Sequence, residues 1–479
     1  MTQKSWEIEN FLEEKNSQLF IGGVSSIELA ETFGTPLFVF SESRIRQNIN
    51  RLKDVENVID CPLKICYAAK ANSNMAILRA VKEAGSDIEV NSGGELWKVL
   101  KIGFAGEQII FNGTSKEVWE IEDAISAGVF AIQVDSLFEL GLIEETAKRL
   151  NKRVNVSLRL VPEIETNTHS GLQTALLTSK FGMMPDEALS AFHQYKNSEF
   201  LNLCGIHLHI GSQNPESTPY AEALKALFDN LLQIYRETGL KLSHLNLGGG
   251  FPVNYLRDNS HAIDFPQEQR EMFSADFAPA EAIRNAWKII KETAKTSNSL
   301  ELLENITLLL EPGRSVISDA GLCLTTVRNK KERPVNIDSK KINTPRSQLG
   351  TDFWLLTDAG FNILLSMETY KWYYHLISAK RAGEKHEFPY KIAGPLCDGG
   401  DVYFDIEGAG RLPEYRLLPE NIEAGEVLAL LNCGAYSIAQ MFQYNGRFLP
   451  AVVLIKENKK SELVRKRDGF ADLITNDVF

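Results

Sequence analysis

The sequence predicts an α/β protein, a (β/α)8 barrel followed by a mostly β C-terminal domain. Eight short apolar strand candidates alternate with amphipathic helix patterns between residues 64 and 310, as in such a barrel. An open doubly wound sheet shows the same alternation with fewer units and is the alternative. At 479 residues the chain is too long for one comfortable core, so a second domain is expected.

The strand candidates are short runs of apolar or β-branched residues. They cover 64–69, 86–90, 108–111, 130–134, 154–160, 202–209, 242–247 and 306–310. Helix patterns, each with apolar residues on one face, fill most of the gaps, at 74–84, 93–102, 116–127, 136–149, 185–195, 217–237 and 277–294.

Polar, titratable or glycine-rich residues follow nearly every strand candidate. They include Lys70, Glu89, Asn112, Asp135, Arg159, His209, Gly248–Gly250 and Glu311. Barrel enzymes build their sites from the C-terminal ends of the strands, so this series favours the barrel. Any single member could instead be a turn residue or a helix N-cap, and Asp135-Ser136 is partly that.

The composition and the secondary-structure pattern of the sequence change after residue 311. Residues 329–351 are charged and poor in apolar side chains, which predicts an exposed insertion or mobile loop. Short strands are predicted at 353–356, 390–393, 427–431 and 451–455, joined by Pro36–Phe40 from the N-terminal region. We therefore expect a barrel domain over 45–311 and a β-rich domain formed by 1–44 and 312–479.

The bulk composition excludes several classes of partner. A net charge of −12 argues against nucleic acid or an anionic membrane as the main partner. The six cysteines show no CxxC or metal-like spacing, which suits a reducing cytoplasm. The polar, acidic start MTQKSWEIEN does not resemble a signal peptide, and no apolar run approaches the roughly 20 residues of a membrane helix. We expect a cytoplasmic protein that binds neither nucleic acid nor membrane.

Lys70 ends the apolar run Ile65–Ala69. Burying an ammonium group costs several kcal/mol unless it is paired or its pKa falls. A lysine that is easily deprotonated is a natural nucleophile for carbonyl groups, the chemistry of Schiff bases. The simpler alternative is a strand-end lysine that reaches into solvent.

Two motifs suit a phosphorylated aromatic ligand. Gly248-Gly249-Gly250 follows a strand and lets backbone amides approach an anion closely, although a tight loop is the alternative. Glu311 and Arg314 follow a very apolar strand and could form a structural ion pair with each other. The functional alternative places Arg314 on a phosphate and Glu311 on a ring nitrogen.

A histidine pair and a cysteine loop complete the set. His207 and His209 lie on one face of a strand, and an imidazole stacked on an aromatic cofactor fits better than a metal site without a third ligand. Cys397 stands beside Asp398 in a Gly/Pro-flanked loop, as a buried structural cysteine or as a proton donor. Together these features describe a pyridoxal-phosphate site.

The sequence resembles the pyridoxal-phosphate-dependent decarboxylases of diaminopimelate, ornithine and arginine, which have the alanine racemase fold. The motifs that carry the resemblance are YAAKAN, HLHIGSQ, LNLGGGFP, EPGRSV, LLTDAGFN, GPLCDGGD and NCGAYSIAQMFQYNGR. They occur in the family's order and run from about residue 35 to 455. The resemblance implies a homodimer in which the β domain of each subunit completes the barrel site of its partner.

The resemblance also implies residue roles. Lys70 would be the Schiff-base lysine, His209 would stack on the ring, and Glu311 would hold the pyridine nitrogen. The phosphate group would be surrounded by Ser212, Gly248, Gly249, Gly250, Arg314 and Tyr436. Cys397, donated by the other subunit, would return a proton after carbon dioxide leaves. Glu89 stands where the family more often has Asp.

The resemblance is looser at the residues that select the substrate, for which the predicted set is Arg314, Ser366, Tyr370 and Asp398. Diaminopimelate decarboxylases usually show Arg-Pro-Ala-x-Tyr where this sequence has Ser366 to Tyr370, so the arginine that clamps the distal carboxylate is absent. Losing that clamp costs a dianionic substrate about 10-fold or more in affinity. The segment with CDGGD looks like enzymes acting on D-ornithine and D-lysine. We therefore expect a diamino acid with a cationic distal end; the alternatives are meso-diaminopimelate and a modified amino acid.

Two rival functions share the fold. An amino-acid racemase would also use Lys70, but it needs a second base, usually tyrosine, on the opposite face. A catalytically inactive homologue that binds a partner would be expected to lack the lysine or the phosphate motif, and both are present.

Overall fold

The structure is a computed structural model that describes residues 4–161, 163–164, 166–173, 176, 179–257, 266–334 and 350–478. It divides into two compact units. The barrel unit comprises Ile45–Val253 and Ala275–Val316, and the β unit comprises Met1–Arg44, Asn254–Ser274 and Ile317–Phe479.

The barrel unit is built on a closed barrel of eight parallel strands in which each strand pairs with the next and the last with the first. The strands are Leu63–Ala68, Asp87–Val90, Ile109–Phe111, Ala131–Val134, Val154–Arg159, Leu201–His207, His244–Asn246 and Thr307–Leu310. Most of their residues are buried, because the barrel interior and the surrounding helices cover both faces. The prediction of a (β/α)8 barrel, rather than an open sheet, is confirmed.

Helices alternate with the strands, and those from Met75–Glu83 to Pro279–Thr296 lie where the sequence predicts them. They are Glu42–Lys53, Met75–Glu83, Gly93–Ile102, Val118–Ala127, Leu137–Arg149, Pro185–Tyr195, Thr218–Thr238, Pro279–Thr296 and Arg314–Ile317. Three of them begin with a serine cap: Ser41 Oγ accepts from Arg44 N at 3.3 Å, Ser92 Oγ from Glu95 N at 3.3 Å, and Ser136 Oγ from Glu139 N at 3.2 Å. Ser136 therefore has the capping role expected from the sequence.

Several boundaries differ from the sequence prediction; among them, the barrel unit ends at Val316 and not at residue 311. The sixth strand ends at His207, so His209 lies beyond it and not on the same strand face. Residues 254–274, which contain the helix Gln267–Ser274, belong to the β unit although they fall inside the predicted barrel range 45–311. The unit to which a segment belongs depends on long-range packing, and the local periodicity of apolar residues does not predict that packing.

The β unit contains a nine-stranded sheet and a three-stranded sheet at its N-terminal end. The large sheet is formed by Leu37–Ser41, Gly321–Pro334, Thr351–Thr357, Leu376–Ser378, Phe388–Ala393, Arg416–Leu418, Val427–Leu430, Ala451–Ile455 and Ser461–Arg465. The small sheet is formed by Leu12–Lys15, Gln18–Ile21 and Val24–Ser25, and the unit also holds the helices Ser26–Phe33 and Leu365–Thr369. Leu37–Ser41 pairs with Gly321–Pro334 and Ala451–Ile455, as expected of a strand donated from the N-terminal region.

The prediction of a loop over 329–351 is wrong at its beginning. Residues 329–334 continue the strand Gly321–Pro334 and pair with Thr351–Thr357. All seven residues from 328 to 334 are exposed, so no alternation of apolar side chains marks the strand in the sequence. Residues 335–349 lie outside the described residues. No helix in the described part of the chain is long and apolar enough to span a membrane.

Candidate active site

Lys70 lies immediately after the first barrel strand, in the short 3-10 turn Ala69–Ala71. Its Nζ lies 3.3 Å from each carboxylate oxygen of Glu89, which ends the neighbouring strand Asp87–Val90. The Glu89 side chain is fully buried, whereas 44% of the Lys70 side chain is exposed. The amine is thus held by a buried carboxylate and remains accessible from one side.

An amide connects the two carboxylates of the barrel mouth. Asn112 Nδ2 donates to Glu89 Oε1 at 2.7 Å and to Glu311 Oε2 at 3.1 Å. Asn246 Nδ2 donates to Glu311 Oε1 at 2.7 Å. Lys70, Glu89 and Glu311 therefore belong to one hydrogen-bonded network.

The two carboxylates differ in proton affinity. Burial raises the pKa of Glu89, and the nearby Lys70 ammonium only partly opposes it. Burial also acts to raise the pKa of Glu311, but His207, Lys70 and the Asn246 hydrogen bond outweigh it and hold that pKa below its usual range. The network therefore favours the ionised form more strongly at Glu311 than at Glu89.

The two histidines occupy different environments. His207 is buried, and its Nε2 lies 3.4 Å from Glu311 Oε2. His209 is half-buried beyond the strand end, and its Nδ1 accepts from Gly249 N at 3.1 Å. Burial lowers the pKa of His209 well below its usual value, and the positive charges of Lys70 and Arg159 lower it further. His209 is therefore neutral, the form suited to stacking on an aromatic ring.

The glycine loop packs too closely for any side chain. A Cβ on Gly249 would lie 2.2 Å from Glu311 O, and one on Gly250 would lie 2.2 Å from Gly211 O. Gly248 and Gly250 also have left-handed φ values of 68° and 95°. The loop is therefore a main-chain cradle at the ends of the sixth and eighth strands.

A cationic side chain adjoins this cradle. Arg314 begins the short helix Arg314–Ile317, is 8% exposed, and donates from Nε to Ser212 Oγ at 3.1 Å. A guanidinium, a hydroxyl and glycine main chain are the groups that bind phosphate in proteins. The barrel unit thus brings together the predicted residues Lys70, Glu89, His209, Ser212, Gly248, Gly249, Gly250, Glu311 and Arg314.

The remaining predicted residues belong to the β unit. Cys397 and Asp398 are exposed; Cys397 N donates to Asn445 Oδ1 at 2.7 Å, and Tyr444 Oη donates to Asp398 Oδ2 at 3.2 Å. The alternative of a buried structural Cys397 is therefore wrong, because the loop turns its thiol-bearing residue outward.

The segment that replaces the arginine motif is folded as a short helix. Ser366 is buried in Leu365–Thr369 and donates from Oγ to Gln440 Oε1 at 3.4 Å. Tyr370 N donates to Ser366 O at 3.0 Å at the end of that helix. Tyr436 is half-buried with a left-handed φ of 57°.

The sequence does not predict the role of two amides in the barrel site. Asn112 stands out only as a polar residue after a strand, a signal that gives no partner. Asn246 ends the buried strand His244–Asn246, where a buried amide is itself a sign of a required hydrogen bond.

Comparison with known proteins identifies the family. The model of the pyridoxal-dependent decarboxylase pyridoxal binding domain matches residues 43–318. The diaminopimelate decarboxylase of Methanocaldococcus jannaschii is 35% identical over 473 residues, which cover 98% of this chain and 96% of that protein. The chain belongs to the pyridoxal-dependent decarboxylases. The diaminopimelate decarboxylase of Bacillus subtilis is 31% identical over 469 residues, which cover 97% of this chain and 96% of that protein.

A solved structure supports the same assignment for this decarboxylase. The crystal structure of the M. jannaschii diaminopimelate decarboxylase in complex with L-lysine has a TM-score of 0.81 at 32% identity. The match covers 100% of this chain and 99% of that one. This decarboxylase therefore has the alanine racemase-like fold expected from its motifs.

Pyridoxal phosphate is the cofactor of this decarboxylase, and the barrel residues fit it. No side chain fits at any of the three glycine positions, so only main-chain atoms of this loop can face a phosphate group there. Arg314 and Ser212 adjoin the cradle. Lys70 supplies an amine and Glu311 an ionised carboxylate in the same unit.

Replacing Gly249 with alanine should weaken cofactor binding about 10-fold or more, because the added Cβ would displace the main chain of Glu311. A tenfold loss of affinity corresponds to only ~1.4 kcal/mol of binding free energy. The measurement is a cofactor titration followed by absorbance, with thermal melting of the apoenzyme. Gly94→Ala is the control, because its Cβ would meet nothing closer than 3.8 Å. Wild-type cofactor affinity in Gly249→Ala would contradict the cradle.

Proposed function

We propose that this decarboxylase removes the carboxylate beside an amino group of a diamino acid, with meso-diaminopimelate as the first candidate. The observation that carries this proposal is the similarity to diaminopimelate decarboxylases, which extends over 95–98% of the chain in the relatives at 30–35% identity. Its extent includes the β-unit segments that hold Ser366 and Asp398. We also propose a cytoplasmic location, supported by six cysteines that form no disulfide.

The proposed roles in the barrel unit follow from the network. Lys70 would hold the cofactor through its amine, and the adjacent Glu89 carboxylate positions that amine. Glu311, ionised in its buried site, accepts a hydrogen bond from a protonated ring nitrogen. His209 stacks on the ring, while Ser212, Gly248, Gly249, Gly250, Arg314 and Tyr436 bind the phosphate. When bound, pyridoxal phosphate supplies the electron sink for the electron pair that the departing carboxylate leaves behind.

We propose that the active enzyme is a homodimer with shared sites. Cys397 and Asp398 are exposed in a loop of the β unit, where they are available to a second copy of the chain. In this arrangement the Cys397 thiol donates a proton to the α-carbon, and Asp398 contacts the substrate side chain. The family's shared-site dimer supports this assignment.

A second candidate substrate is a diamino acid with a cationic distal end, such as D-lysine or D-ornithine. A Cβ on Gly400 would lie 3.3 Å from Asp398 Oδ1 and 3.6 Å from Glu368 Oε1, so two carboxylates flank the Cys397 loop. Glu368 also pairs with Lys371 at 3.0 Å. With Ser366 in place of arginine, this surface favours an ammonium group over a carboxylate.

A carbon-dioxide release assay over meso-diaminopimelate and both enantiomers of lysine, ornithine and arginine tests the proposal. We expect release from at least one diamino acid. We also expect Ser366→Arg to shift kcat/KM toward diaminopimelate by about 10-fold, the value of one charged hydrogen bond; Ser366→Ala is its matched control. Activity on diaminopimelate alone would exclude the second candidate. Racemisation without carbon dioxide would contradict the proposed reaction.

A further inference from the structure

The loop that carries Cys397 and Asp398 closes on a buried carboxylate. Asp401 is 2% exposed, whereas Cys397 and Asp398 are exposed. The ends of the loop are tied by two main-chain hydrogen bonds: Gly394 N donates to Asp401 O at 2.9 Å, and Asp401 N donates to Asp398 O at 3.2 Å. Asp401 is therefore the inner anchor of an otherwise exposed loop.

The Asp401 carboxylate joins two distant segments. Phe361 N donates to Oδ1 at 2.9 Å, and Leu396 N donates to Oδ2 at 2.8 Å. Each oxygen thus accepts one backbone N–H, one from the DAGFN segment and one from the residue that precedes Cys397. A carboxylate satisfies both donors, which no neutral side chain of the same shape can do, because an amide offers one acceptor and one donor.

Two glycines leave room for this carboxylate. A Cβ on Gly360 would lie 2.8 Å from both Asp401 oxygens, and a Cβ on Gly394 would lie 2.3 Å from Oδ2. Neither glycine has a left-handed φ, so conformational freedom does not explain them. The space they leave is occupied by Asp401.

A third segment holds the loop from its other side. Asn445 Oδ1 accepts from Cys397 N at 2.7 Å, and Arg447 donates from its guanidinium to Pro395 O at 2.7 Å. The main chain around Cys397 is therefore fixed at three consecutive residues, Pro395, Leu396 and Cys397. Asp401 is the only ionisable side chain among the described residues that accepts from the loop and from the DAGFN segment together.

We propose that Asp401 is a positioning residue for the proton-donating step: its ionised carboxylate holds the main chain that places the Cys397 thiol. Protonating Asp401 removes one acceptor and loosens the loop without exposing an unpaired charge. The inference rests on the proposed role of Cys397 as proton donor and adds a group that acts through it.

The environment of Asp401 sets the pH at which its carboxylate stops holding the main chain of the Cys397 loop. Burial and, to a smaller extent, the Asp398 carboxylate raise the pKa of Asp401 to about 6, against the N–H groups of Leu396 and Phe361 and the Arg447 guanidinium, which lower it. Tyr403 also faces Asp401 and stays neutral, because burial raises its pKa well above the usual value. The loop is therefore held at neutral pH and released as the pH falls through about 6.

The sign of the accompanying stability change separates loosening from unfolding. The folded-state pKa of Asp401 lies above the usual carboxyl value, so the folded protein binds this proton more tightly than the unfolded chain does. Acidification toward pH 6 consequently does not destabilise the fold through Asp401. A loss of catalysis in that window without a fall in melting temperature is the signature of positioning.

The first test uses the holoenzyme and the alkylation of Cys397, the only one of the six cysteines that is exposed. The iodoacetamide reaction rate of wild type, corrected for thiol ionisation, should show an inflection near pH 6. In Asp401→Asn the inflection should disappear, and the rate at neutral pH should differ from wild type by about 5-fold, the factor of one hydrogen bond. Cys397→Ser supplies the background labelling.

The second readout is the pH profile of turnover. Asp401→Asn should lower kcat about 5-fold or more at neutral pH with KM and cofactor absorbance unchanged, and its kcat should no longer fall through pH 6. Asp405→Asn is the matched control, a buried aspartate of the same unit that pairs with Arg411 outside this loop.

Wild-type alkylation and a wild-type kcat profile in Asp401→Asn would overturn the inference. If Asp401→Asn does not fold, the wild-type protein alone provides the test: the absence of an inflection in its Cys397 alkylation rate would overturn the inference. A changed alkylation profile in an enzyme that releases no carbon dioxide from any substrate would instead refute the proposed function and leave the loop anchor in place.

Discussion

Replacing Lys70 with alanine should reduce carbon-dioxide release by roughly 10⁴-fold or more, the scale of losing a covalent nucleophile. Lys70 Nζ lies 3.3 Å from both Glu89 oxygens, so this side chain already places an amine at the strand end. The variant should also lose the visible absorbance that borohydride removes from wild type, because that absorbance depends on covalent attachment of the cofactor to the lysine.

Lys70→Arg is the matched variant for this prediction. It retains a positive charge beside Glu89 but lacks a deprotonatable amine, so it should be as inactive as Lys70→Ala while keeping more of the fold's stability. Turnover within tenfold of wild type in either variant would contradict the assignment.

Lys70→Ala also tests whether the active sites are shared between two subunits. If Cys397 comes from a second copy, mixing Lys70→Ala with Cys397→Ala subunits restores one intact site in each mixed dimer, about a quarter of wild-type activity. If both residues come from one chain, no mixture is active. Subunit exchange must be verified by a size or mass measurement on the mixture.

Replacing Glu311 with glutamine should lower kcat by about 10²–10³-fold with little change in KM, the scale of losing one preorganised electrostatic partner. Asn112 and Asn246 donate to its two oxygens, at 3.1 and 2.7 Å. A glutamine keeps the shape but turns one acceptor into a donor that faces an amide N–H. The measurement is steady-state kinetics with carbon-dioxide detection.

The pH dependence of stability distinguishes Glu311 from its neighbour. The pKa of Glu311 is held below its usual range, so its ionised form stabilises the fold at neutral pH and that stabilisation is lost as the pH falls below the usual carboxyl pKa. Burial raises the pKa of Glu89 instead, so its contribution has the opposite sign. Glu311→Gln should therefore lower the melting temperature more than Glu89→Gln at neutral pH. An equal or smaller effect would contradict the assignment of charge.

Local sequence patterns predicted much of the site because strand ends and glycines are marked locally. Lys70 and Glu311 each follow an apolar run and Glu89 lies near the end of its strand, and the barrel closure brings these strand ends to one rim. The three glycines were visible as a loop, but the reason for them, backbone oxygens only 2.2 Å from a Cβ on Gly249 or Gly250, required the structure.

Features that depend on side chains meeting across the fold were not predictable. Asn112 bridges Glu89 and Glu311, and its bond to Glu311 spans 199 positions of the chain. Asp401 was part of the GPLCDGGD motif, yet its role depends on Phe361, 40 positions away. The strand at 329–334 lacks apolar alternation because its side chains are all exposed, and only its backbone pairing reveals it.

The sequence by itself determined the barrel and the cofactor site, since hydrophobic period and short motifs are properties of neighbouring residues, and its resemblance to a known family indicated the reaction class. The tertiary structure alone decided which carboxylate is ionised, which amides join them and what holds the Cys397 loop. The physical reason is that burial and hydrogen-bond partners set a group's pKa and orientation, and both are supplied by residues far away along the chain.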